Sequence, residues 1–348
     1  MRKVNKYNYL DITKFFEENI IMKNNVIKLI LIFLIFLSVS VVSAESLNIF
    51  GFKNNKTLNF VQITDVHLDN KTNNSSKRMF EYSADLLKDA VSQVNNLKDA
   101  QFVVFSGDVV NRSNKDLFSQ FINIANCLNI PWYYLPGNHD VGIFGGVSKR
   151  EIKKIMSANM ACPAPDSLYY SYSPNKNFLM IFLDGVITNE ITANGYFPKQ
   201  ELDWLDKQIK CNRDKKIVIV QHFPVVEPYH SYTHYTRNVE EYFKIIDKYS
   251  NVIAVLSGHY HAAKITLRKN VLHISTPSLI EYPNAFRQIK ITLLNDGTKF
   301  DIKLIETGLK DVRNISKSRS NNPSLEEGKE SDRNAVIIIK TAEPALKK

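Results

Sequence analysis

Five short clusters of metal-ligand-type side chains occur along the sequence, each directly after an apolar run. In chain order they are Asp65-Val66-His67, Gly107-Asp108, Gly137-Asn138-His139-Asp140, His222 and Gly258-His259-Tyr260-His261. Mixed His, Asp and Asn ligands suit Mn, Fe or Zn better than Ca or Mg, so the clusters predict a transition-metal site. A carboxylate has two oxygens and can bridge two cations, and Asp108 is the natural candidate for that role.

The spacing within the first and last clusters has a geometric consequence. Residues two apart in an extended chain point the same way, so Asp65 and His67 are expected to face one metal. His259 and His261 have the same relation. A glycine precedes three of the clusters and permits the sharp turns that bring side chains or backbone close to an ion.

The apolar runs before the clusters are short and rich in Val, Ile and Phe, which is typical of buried strands. The predicted strands in this part of the chain are Leu58–Thr64, Gln101–Ser106, Trp132–Leu135, Leu179–Asp184, Ile217–Gln221 and Val252–Ser257. Helix-like stretches lie between them near 76–96, 114–128, 148–160, 198–210 and 238–249. Ligands bind at the carboxyl ends of strands in α/β sheets, so five strands would bring their clusters to one edge.

After residue 270 the pattern changes to strands alone. These are Val271–Ser275, Arg287–Leu293 and Lys299–Ile305, with Asn295-Asp296-Gly297 as a hairpin turn.

The ordered set D-x-H, G-D, G-N-H-D, H and G-H-x-H resembles the calcineurin-like metallophosphoesterase superfamily over roughly residues 58–293. The resemblance implies an α/β fold, a two-sheet αββα sandwich of the metallo-dependent phosphatase type. The ligands that it implies are Asp65, His67, Asp108 and His261 for a first metal, and Asp108, Asn138, His222 and His259 for a second. It further implies that His139 contacts the substrate and stabilises or protonates the leaving oxygen, while Asp140 orients its imidazole.

The implied reaction is hydrolysis of a phosphomonoester or phosphodiester by a hydroxide bridging two divalent or trivalent ions, Mn, Fe or Zn. Two such cations about 3.5–4 Å apart lower the pKa of a bridging water and clamp the attacking and leaving oxygens. Their charge would outweigh that of Asp65, Asp108 and the hydroxide, so a positive site would face an anionic phosphoester. No covalent protein nucleophile is then needed.

Sequence features that differ between branches of this superfamily bear on the substrate. Purple acid phosphatases carry a Tyr three residues after the bridging Asp, where this chain has Asn111. Serine/threonine phosphatases continue G-D-x-V-D-R-G; here Asn111 and Ser113 depart from that pattern, although Arg112 could still reach a phosphate. Phe197–Leu205 (FPKQELDWL) and Thr276-Pro277-Ser278 make the chain more similar to the cyclic-nucleotide phosphodiesterase-like branch.

Other titratable and aromatic residues are not expected to be metal ligands. Asp184 is expected in a turn or behind the ligands, and His273 is expected to pack within the sheet. The loop after His222 clusters Tyr229, His230, Tyr232, His234 and Tyr235. Its aromatic rings could stack on a base and its His residues could bind phosphate; a surface loop without a ligand role is the alternative.

Residues 1–44 predict export. Residues 29–42 read LILIFLIFLSVSVV, and Val42-Ser43-Ala44 places small residues where a signal peptidase cuts. The run is shorter than the about 20 apolar residues of a transmembrane helix. A signal peptide is therefore predicted, with an uncleaved signal-anchor that attaches the protein to a membrane as the alternative.

Met22 begins a compact basic segment before this run, so residues 1–21 are interpreted as lying upstream of the true start. The mature protein is expected to begin near Glu45 and to be periplasmic, secreted or lumenal. Residues 45–310 would form the metallophosphoesterase domain. Residues 311–348 are expected to form a polar, flexible tail, in which Val336–Ile339 is either a terminal strand or a sticky end.

Composition limits the other classes of function. The formal charge of +10 suits an anionic substrate or surface, but no basic run interleaved with aromatic residues indicates a nucleic-acid-binding module. The 3 Cys form no C-x-x-C pair, so a thiolate zinc site is not expected. A non-catalytic surface or binding protein of the same fold is the rival hypothesis. Such a protein would be expected to lose ligands, and none is lost.

Overall fold

The computed structural model describes residues 56–70, 76–143, 145–160 and 167–340. All of them belong to one compact unit, Asn55–Lys348. The segment that the sequence assigns to export lies outside the described residues. Within these ranges no helix is both long and apolar enough to cross a membrane.

The strands of the described residues form two six-stranded sheets. They are β1 (Thr57–Ile63), β2 (Val103–Ser106), β3 (Trp132–Leu135), β4 (Tyr170–Asn175), β5 (Phe178–Phe182), β6 (Lys216–Val220), β7 (Val252–Ser257), β8 (Lys264–Arg268), β9 (Val271–Ser275), β10 (Ala285–Leu293), β11 (Gly297–Glu306) and β12 (Ala335–Lys340). The first sheet has the order β12-β11-β10-β1-β2-β3 and the second β4-β5-β6-β7-β9-β8. Within them, β1-β2-β3 and β5-β6-β7-β9 run parallel.

Among the described residues, the first five helices lie between the strands as the sequence predicts, whereas the last three occupy the C-terminal segment, where no helix was predicted. The helices are α1 (Ser83–Asn95), α2 (Lys115–Ala125), α3 (Lys149–Ser157), α4 (Lys199–Cys211), α5 (Val239–Ile246), α6 (Lys310–Arg319), α7 (Pro323–Glu327) and α8 (Glu330–Arg333). Local signals explain two of the starts. Asn114 accepts hydrogen bonds from two backbone N–H groups at the start of α2, and Ser148 and Glu151 form a capping box on α3.

Alternating side chains of the second sheet show how the layers stack. Ile217 and Ile219 of β6 join the apolar cluster that contains the buried faces of α4 and α5. Val218 and Val220 join the cluster shared with the first sheet, which also contains the buried faces of α1 and α2. Because successive strand residues face opposite sides, each sheet is packed against the other sheet and against helices. The predicted two-sheet αββα sandwich is confirmed.

Two strands that the sequence analysis did not predict, β4 and β8, lie at the edges of the second sheet. β8 reads Lys-Ile-Thr-Leu-Arg and has no fully buried residue. An edge strand with a half-solvated face tolerates polar residues, so it presents no continuous apolar run to detect.

The flexible tail predicted for 311–348 is wrong as far as Lys340. Helices α6, α7 and α8 occupy this stretch, and β12 pairs antiparallel with β11, which confirms the terminal-strand alternative. The polar composition did not indicate this ordered structure, because a buried side chain, Arg287, anchors the segment by donating to the carbonyls of Asp332 and Arg333. Residues 341–348 lie outside the described residues.

Candidate metal centre

All five clusters lie at the carboxyl ends of parallel strands. Asp65 and His67 follow β1, Asp108 follows β2, Asn138, His139 and Asp140 follow β3, His222 follows β6, and His259 and His261 follow β7. The first three strands are neighbours in one sheet and the last two are neighbours in the other. The clusters therefore meet where the two sheets face each other at one end of the sandwich.

The first group consists of Asp65, His67 and His261, all buried. The Nε2 atom of His261 lies 3.1 Å from Asp65 Oδ1 and 3.3 Å from the Nε2 atom of His67. His67 Nε2 lies 3.7 Å from Asp65 Oδ1. Ligand atoms around an ion bound at about 2.0–2.2 Å lie roughly 3.0–3.6 Å apart. These three groups are therefore spaced as ligands of one ion.

The second group consists of Asp108, His222 and His259, also buried. Asp108 Oδ2 lies 3.2 Å from His222 Nε2 and 3.6 Å from His67 Nε2, so this oxygen stands between the two groups. Among the described residues, His259 Nε2 and Asn138 Oδ1 are buried without a hydrogen-bond partner. Such orphaned acceptors are costly unless something absent from the protein chain satisfies them.

Each of the two carboxylates divides its oxygens in the same way. Asp65 Oδ2 accepts from the backbone N–H of His259 at 2.9 Å and from the Thr64 hydroxyl at 2.7 Å. Asp108 Oδ1 accepts from the backbone N–H of His139 at 2.8 Å. Protein donors thus fix one oxygen, and the other faces the neighbouring imidazoles. The arrangement fits a pair of metal ions, with the Asp108 carboxylate placed between the two ligand groups.

The carboxylates and imidazoles of the centre shift one another's pKa values. Burial lowers the pKa of His222, but Asp108 and Asp65 raise it to about 9. Burial also lowers the pKa of His261, but Glu281 and Asp65 raise it to about 9. Burial raises the pKa of Asp65, yet the positive charges of His261 and His222 bring it well below its usual range. The buried carboxylates thus favour positive charge at this position, as a metal site requires.

The expected extended conformation of the D-x-H and G-H-x-H clusters is wrong. Asp65 and His67 have φ angles of 52° and 42°, and those of His259 and His261 are 69° and 52°. These residues lie in the left-handed region, which costs energy for any residue with a Cβ atom. Tight turns after the strands, rather than strand pleating, bring the paired ligands together.

Two of the glycines are required by close approach to the ligands. A Cβ atom on Gly137 would lie 2.2 Å from Asp108 Oδ1. Gly107 has a φ of 93°, and a Cβ atom there would lie 2.5 Å from His222 Nδ1. The proposed role of glycine at these turns is therefore supported by steric exclusion as well as by backbone freedom.

His139 lies beside the centre, but Asp140 does not orient it. The Nδ1 atom of His139 lies 2.7 Å from the carbonyl oxygen of Asn111, so Nδ1–H donates there and Nε2 faces outward. The Asp140 carboxylate is buried and accepts from the N–H groups of Gly137 and Val110. Its expected function is corrected: Asp140 holds the loop after β3, and a backbone carbonyl orients the imidazole.

Sequence reasoning missed several polar side chains behind the ligands. Glu281 Oε1 lies 3.0 Å from His261 Nδ1, and it also accepts from Arg78 Nε at 3.1 Å. Asn111 was noted only as a departure from other branches, although it contacts His139 and Arg78. Arg78 and Glu281 carry no spacing signal, because folding brings them in from segments far apart in sequence.

Some residues of the loop after His222 lie against the candidate metal centre, whereas others are exposed. The His234 ring lies tilted against that of His259 with a centroid distance of 5.2 Å, and Tyr229 donates to the carbonyl of Tyr260, which stands between two candidate ligands in sequence. Tyr232 is 84% exposed and, with Ile191, lines a groove of about 560 Å³ that Asn138 and His139 also line. Other groove residues are Ile143, Thr192, Ala193, Asn194 and Thr233.

The two residues that were expected to have structural roles, Asp184 and His273, are buried and belong to neither group of candidate ligands. The Asp184 carboxylate pairs with Lys149 at 2.7 Å and accepts from the N–H of Val186. His273 is buried in β9, and burial lowers its pKa to about 4. Arg112, which the sequence left able to reach a phosphate, pairs with Asp69 at 2.8 Å.

Comparison with known proteins agrees with this geometry. The calcineurin-like phosphoesterase family model matches residues 58–263. A 3',5'-cyclic-nucleotide phosphodiesterase from Nostoc sp. is 26% identical over 224 residues, which cover 64% of this chain and 78% of that protein. A probable glycerophosphodiester phosphodiesterase from Arcobacter nitrofigilis is 24% identical over 230 residues, covering 63% and 77%.

A solved structure supports the fold. A dimetal phosphatase from Danio rerio aligns with a TM-score of 0.58 and 19% identity, covering 72% of this chain and 96% of that one. The matched family segment contains every predicted ligand, and it spans more than half of the sequence. The chain belongs to the calcineurin-like phosphoesterase family of hydrolases.

Proposed function

We propose that this protein hydrolyses phosphodiesters at a centre of two transition-metal ions, through a hydroxide held between them. The single observation that supports it best is the position of Asp108 Oδ2, which lies 3.2 Å from His222 Nε2 and 3.6 Å from His67 Nε2. A paired-metal site needs one oxygen between its two ligand groups, whereas a single-metal site does not. The names of the phosphodiesterase relatives agree with this assignment.

The preference for a diester rests on the groove beside His139. It is about 560 Å³ in volume, and its rim carries two largely exposed apolar side chains, Ile191 at 79% and Tyr232 at 84% exposure. A diester has an organic group on each side of its phosphorus, and one of them needs room beyond the metals. A ring or short chain extending past His139 would cover these rim residues and gain the free energy of apolar burial.

The residues of this chain have separate parts in the proposed reaction. Bound as a pair, the metal ions supply Lewis-acid activation of water and stabilise developing charge. Asp65 and Asp108 keep their inner oxygens fixed because backbone N–H groups hold their outer ones. His139 presents Nε2 to the leaving oxygen, because Nδ1 is occupied by the carbonyl of Asn111 at 2.7 Å. Protonation of the leaving oxygen from this atom is general acid catalysis.

We further propose that the protein acts outside the cytoplasm and that its mature chain begins near Glu45. The support is the apolar run 29–42 followed by Val42-Ser43-Ala44, which is typical of a cleaved signal. Recovery of the exported protein with Met1 or Met22 intact would favour the anchored alternative. In that case residues 29–44 would attach the enzyme to a membrane.

A direct assay tests the proposed activity. The purified protein, supplied with Mn²⁺, is expected to hydrolyse bis(p-nitrophenyl) phosphate and a cyclic nucleotide faster than p-nitrophenyl phosphate. Asp108→Asn keeps the size of the side chain but removes its charge, so metal content and rate should both fall to background. Equal rates on the monoester would contradict the diester preference. Full activity and full metal content in Asp108→Asn would contradict the paired-metal site.

A further inference from the structure

A guanidinium group lies directly beside the candidate metal centre. Arg78 Nη1 is 3.5 Å from His67 Nδ1, 3.5 Å from His139 Nε2 and 3.2 Å from the amide oxygen of Asn111. Its side chain is 25% exposed, so it reaches both the ligands and the solvent side of the site.

The side chains around Arg78 offer its guanidinium group too few hydrogen-bond acceptors. His67 directs Nε2 towards the first ligand group, so a metal bound there leaves the proton on Nδ1, which becomes a donor. In the form that donates to a leaving oxygen, His139 also carries a proton on Nε2. Arg78 has donors only. Three donors then converge, and Asn111 supplies one amide oxygen among them.

The guanidinium is held in this position from two sides. Arg78 Nε donates to Glu281 Oε1 at 3.1 Å, and Glu281 is buried, with its other oxygen 2.9 Å from Lys77 Nζ. Asn111 Nδ2 donates to Asp69 Oδ2 at 2.7 Å, which fixes its amide oxygen towards Arg78. A donor that is already in place loses no reorganisation energy when charge develops next to it.

We propose that Arg78 binds a non-bridging oxygen of the substrate's phosphoryl group, beside the leaving oxygen that His139 contacts. This inference rests on the proposed phosphodiesterase function and assigns a residue that selects for the phosphoryl group. Asn111 is the positioning residue for both donors, since its carbonyl holds His139 and its amide oxygen holds Arg78. Arg112 does not share the role, because it is 58% exposed and pairs with Asp69.

The test measures phosphate binding as well as turnover. Inorganic phosphate is titrated by calorimetry into the Mn²⁺-loaded full chain and into Arg78→Ala, Arg78→Lys and Lys77→Ala. Lys77 is the matched control, because it carries the same charge and pairs with the same Glu281 carboxylate but is 44% exposed. Metal content, kcat and KM on bis(p-nitrophenyl) phosphate are measured for each variant.

We expect Arg78→Ala to keep its metals and to bind phosphate about 10- to 100-fold more weakly, as for a lost charged hydrogen bond. Arg78→Lys should recover part of the affinity, because an ammonium keeps the charge but not the fork geometry. Lys77→Ala should change affinity less than about threefold, as an exposed charge is screened.

Phosphate affinity of Arg78→Ala within about threefold of the unmodified protein would overturn the inference, and so would an equal loss in Lys77→Ala. If Arg78→Ala loses its metals, Arg78→Lys decides: unchanged phosphate affinity overturns the inference, and an intermediate affinity supports it. A protein that binds phosphate through Arg78 but hydrolyses none of the esters would refute the proposed function alone.

Discussion

At the scale of single residues, the centre is built from groups whose charge states depend on one another. Two imidazoles, His222 and His261, have pKa values of about 9 because buried carboxylates lie against them. His67, with a pKa lowered to about 3 by burial and by Arg78, stays neutral beside them. A metal ion needs every imidazole neutral at its binding atom, so binding must remove the protons that the free protein retains.

Proton release on metal binding follows from these values. Below pH 9 His222 and His261 are protonated in the metal-free protein, so affinity for Mn²⁺ should increase as pH rises towards about 9 and then level off. Near pH 7 the two imidazoles should together release about two protons when both ions bind, and a water that becomes the hydroxide between the ions should release about one more. Calorimetric titration in two buffers with different ionisation enthalpies measures this number. His273→Gln is the control, since His273 is already neutral, with a pKa of about 4; binding without proton release would contradict the assignment.

His139→Ala separates substrate chemistry from metal binding. Asp108 is held by the backbone N–H of His139, which alanine retains, so both metals should stay bound. Turnover should fall by about 10²–10⁴-fold for leaving groups that need a proton, and least for nitrophenolate. Rates on esters with good and poor leaving groups, together with elemental analysis, measure the effect. Loss of both metals, or equal defects on both kinds of ester, would show that His139 is not the leaving-group acid.

The sequence predicted candidate ligand residues that the structure brings together, but it did not predict the groups that support them. Each ligand belongs to a short cluster at the end of an apolar run, so its place follows from the strand that precedes it. Arg78, Asn111 and Glu281 depend on contacts between distant segments, such as the 203 residues that separate Arg78 from Glu281. Asp140 was misassigned because proximity in sequence to His139 does not fix the direction of its side chain.

At the scale of elements, strand prediction succeeded where strands are buried on both faces. β3, β7 and β9 have the predicted bounds, and the hairpin turn before Gly297 lies between β10 and β11 as expected. Conformation at the strand ends was not predictable, because left-handed φ angles in Asp and His arise from tertiary contacts. One example is the hydrogen bond from the backbone N–H of His67 to the carbonyl of Asp108.

Polar cross-links between the sheets set the distance between the two ligand groups. The Gln62 side chain of β1 donates to the carbonyl of Ser257 in β7 at 3.1 Å and accepts from Thr276 at 2.7 Å. His222 lies 2.9 Å, through Nδ1, from the carbonyl of Ser106 in β2. These buried contacts also fix the tautomer of His222, because Nδ1–H donates and Nε2 is left as the metal-facing atom. Packing of the elements and ligand chemistry therefore depend on the same bonds.

At the scale of the whole molecule, the segment after β11 completes the first sheet. β12 adds its edge strand, and Asp332 in α8 accepts from the backbone N–H of Ile265 in β8. The segment thus links both sheets at the side of the sandwich. Its charged composition gave no indication of this, because a few buried polar contacts anchor it rather than a long apolar face.

Arg287 is a buried side chain that anchors that segment, and its loss should destabilise the fold. Its fully buried guanidinium donates to the carbonyls of Ser275, Asp332 and Arg333 at 3.1, 2.7 and 3.2 Å. Arg287→Ala removes these donors and leaves a cavity, so the free energy of unfolding should fall by about 3–5 kcal/mol. Urea unfolding at fixed metal concentration measures it.

Arg313→Ala is the matched control for Arg287→Ala, since Arg313 lies in the same segment, donates to one carbonyl, that of Thr307, and pairs with the half-exposed Glu306 at 3.2 Å. It should lower the free energy of unfolding by no more than about 1 kcal/mol. Limited proteolysis should cut Arg287→Ala first between β11 and β12, because these residues lose their attachment to β9 and β10. Equal stabilities of the two variants, or unchanged cleavage sites in Arg287→Ala, would mean that pairing of β12 with β11 is enough to hold the segment.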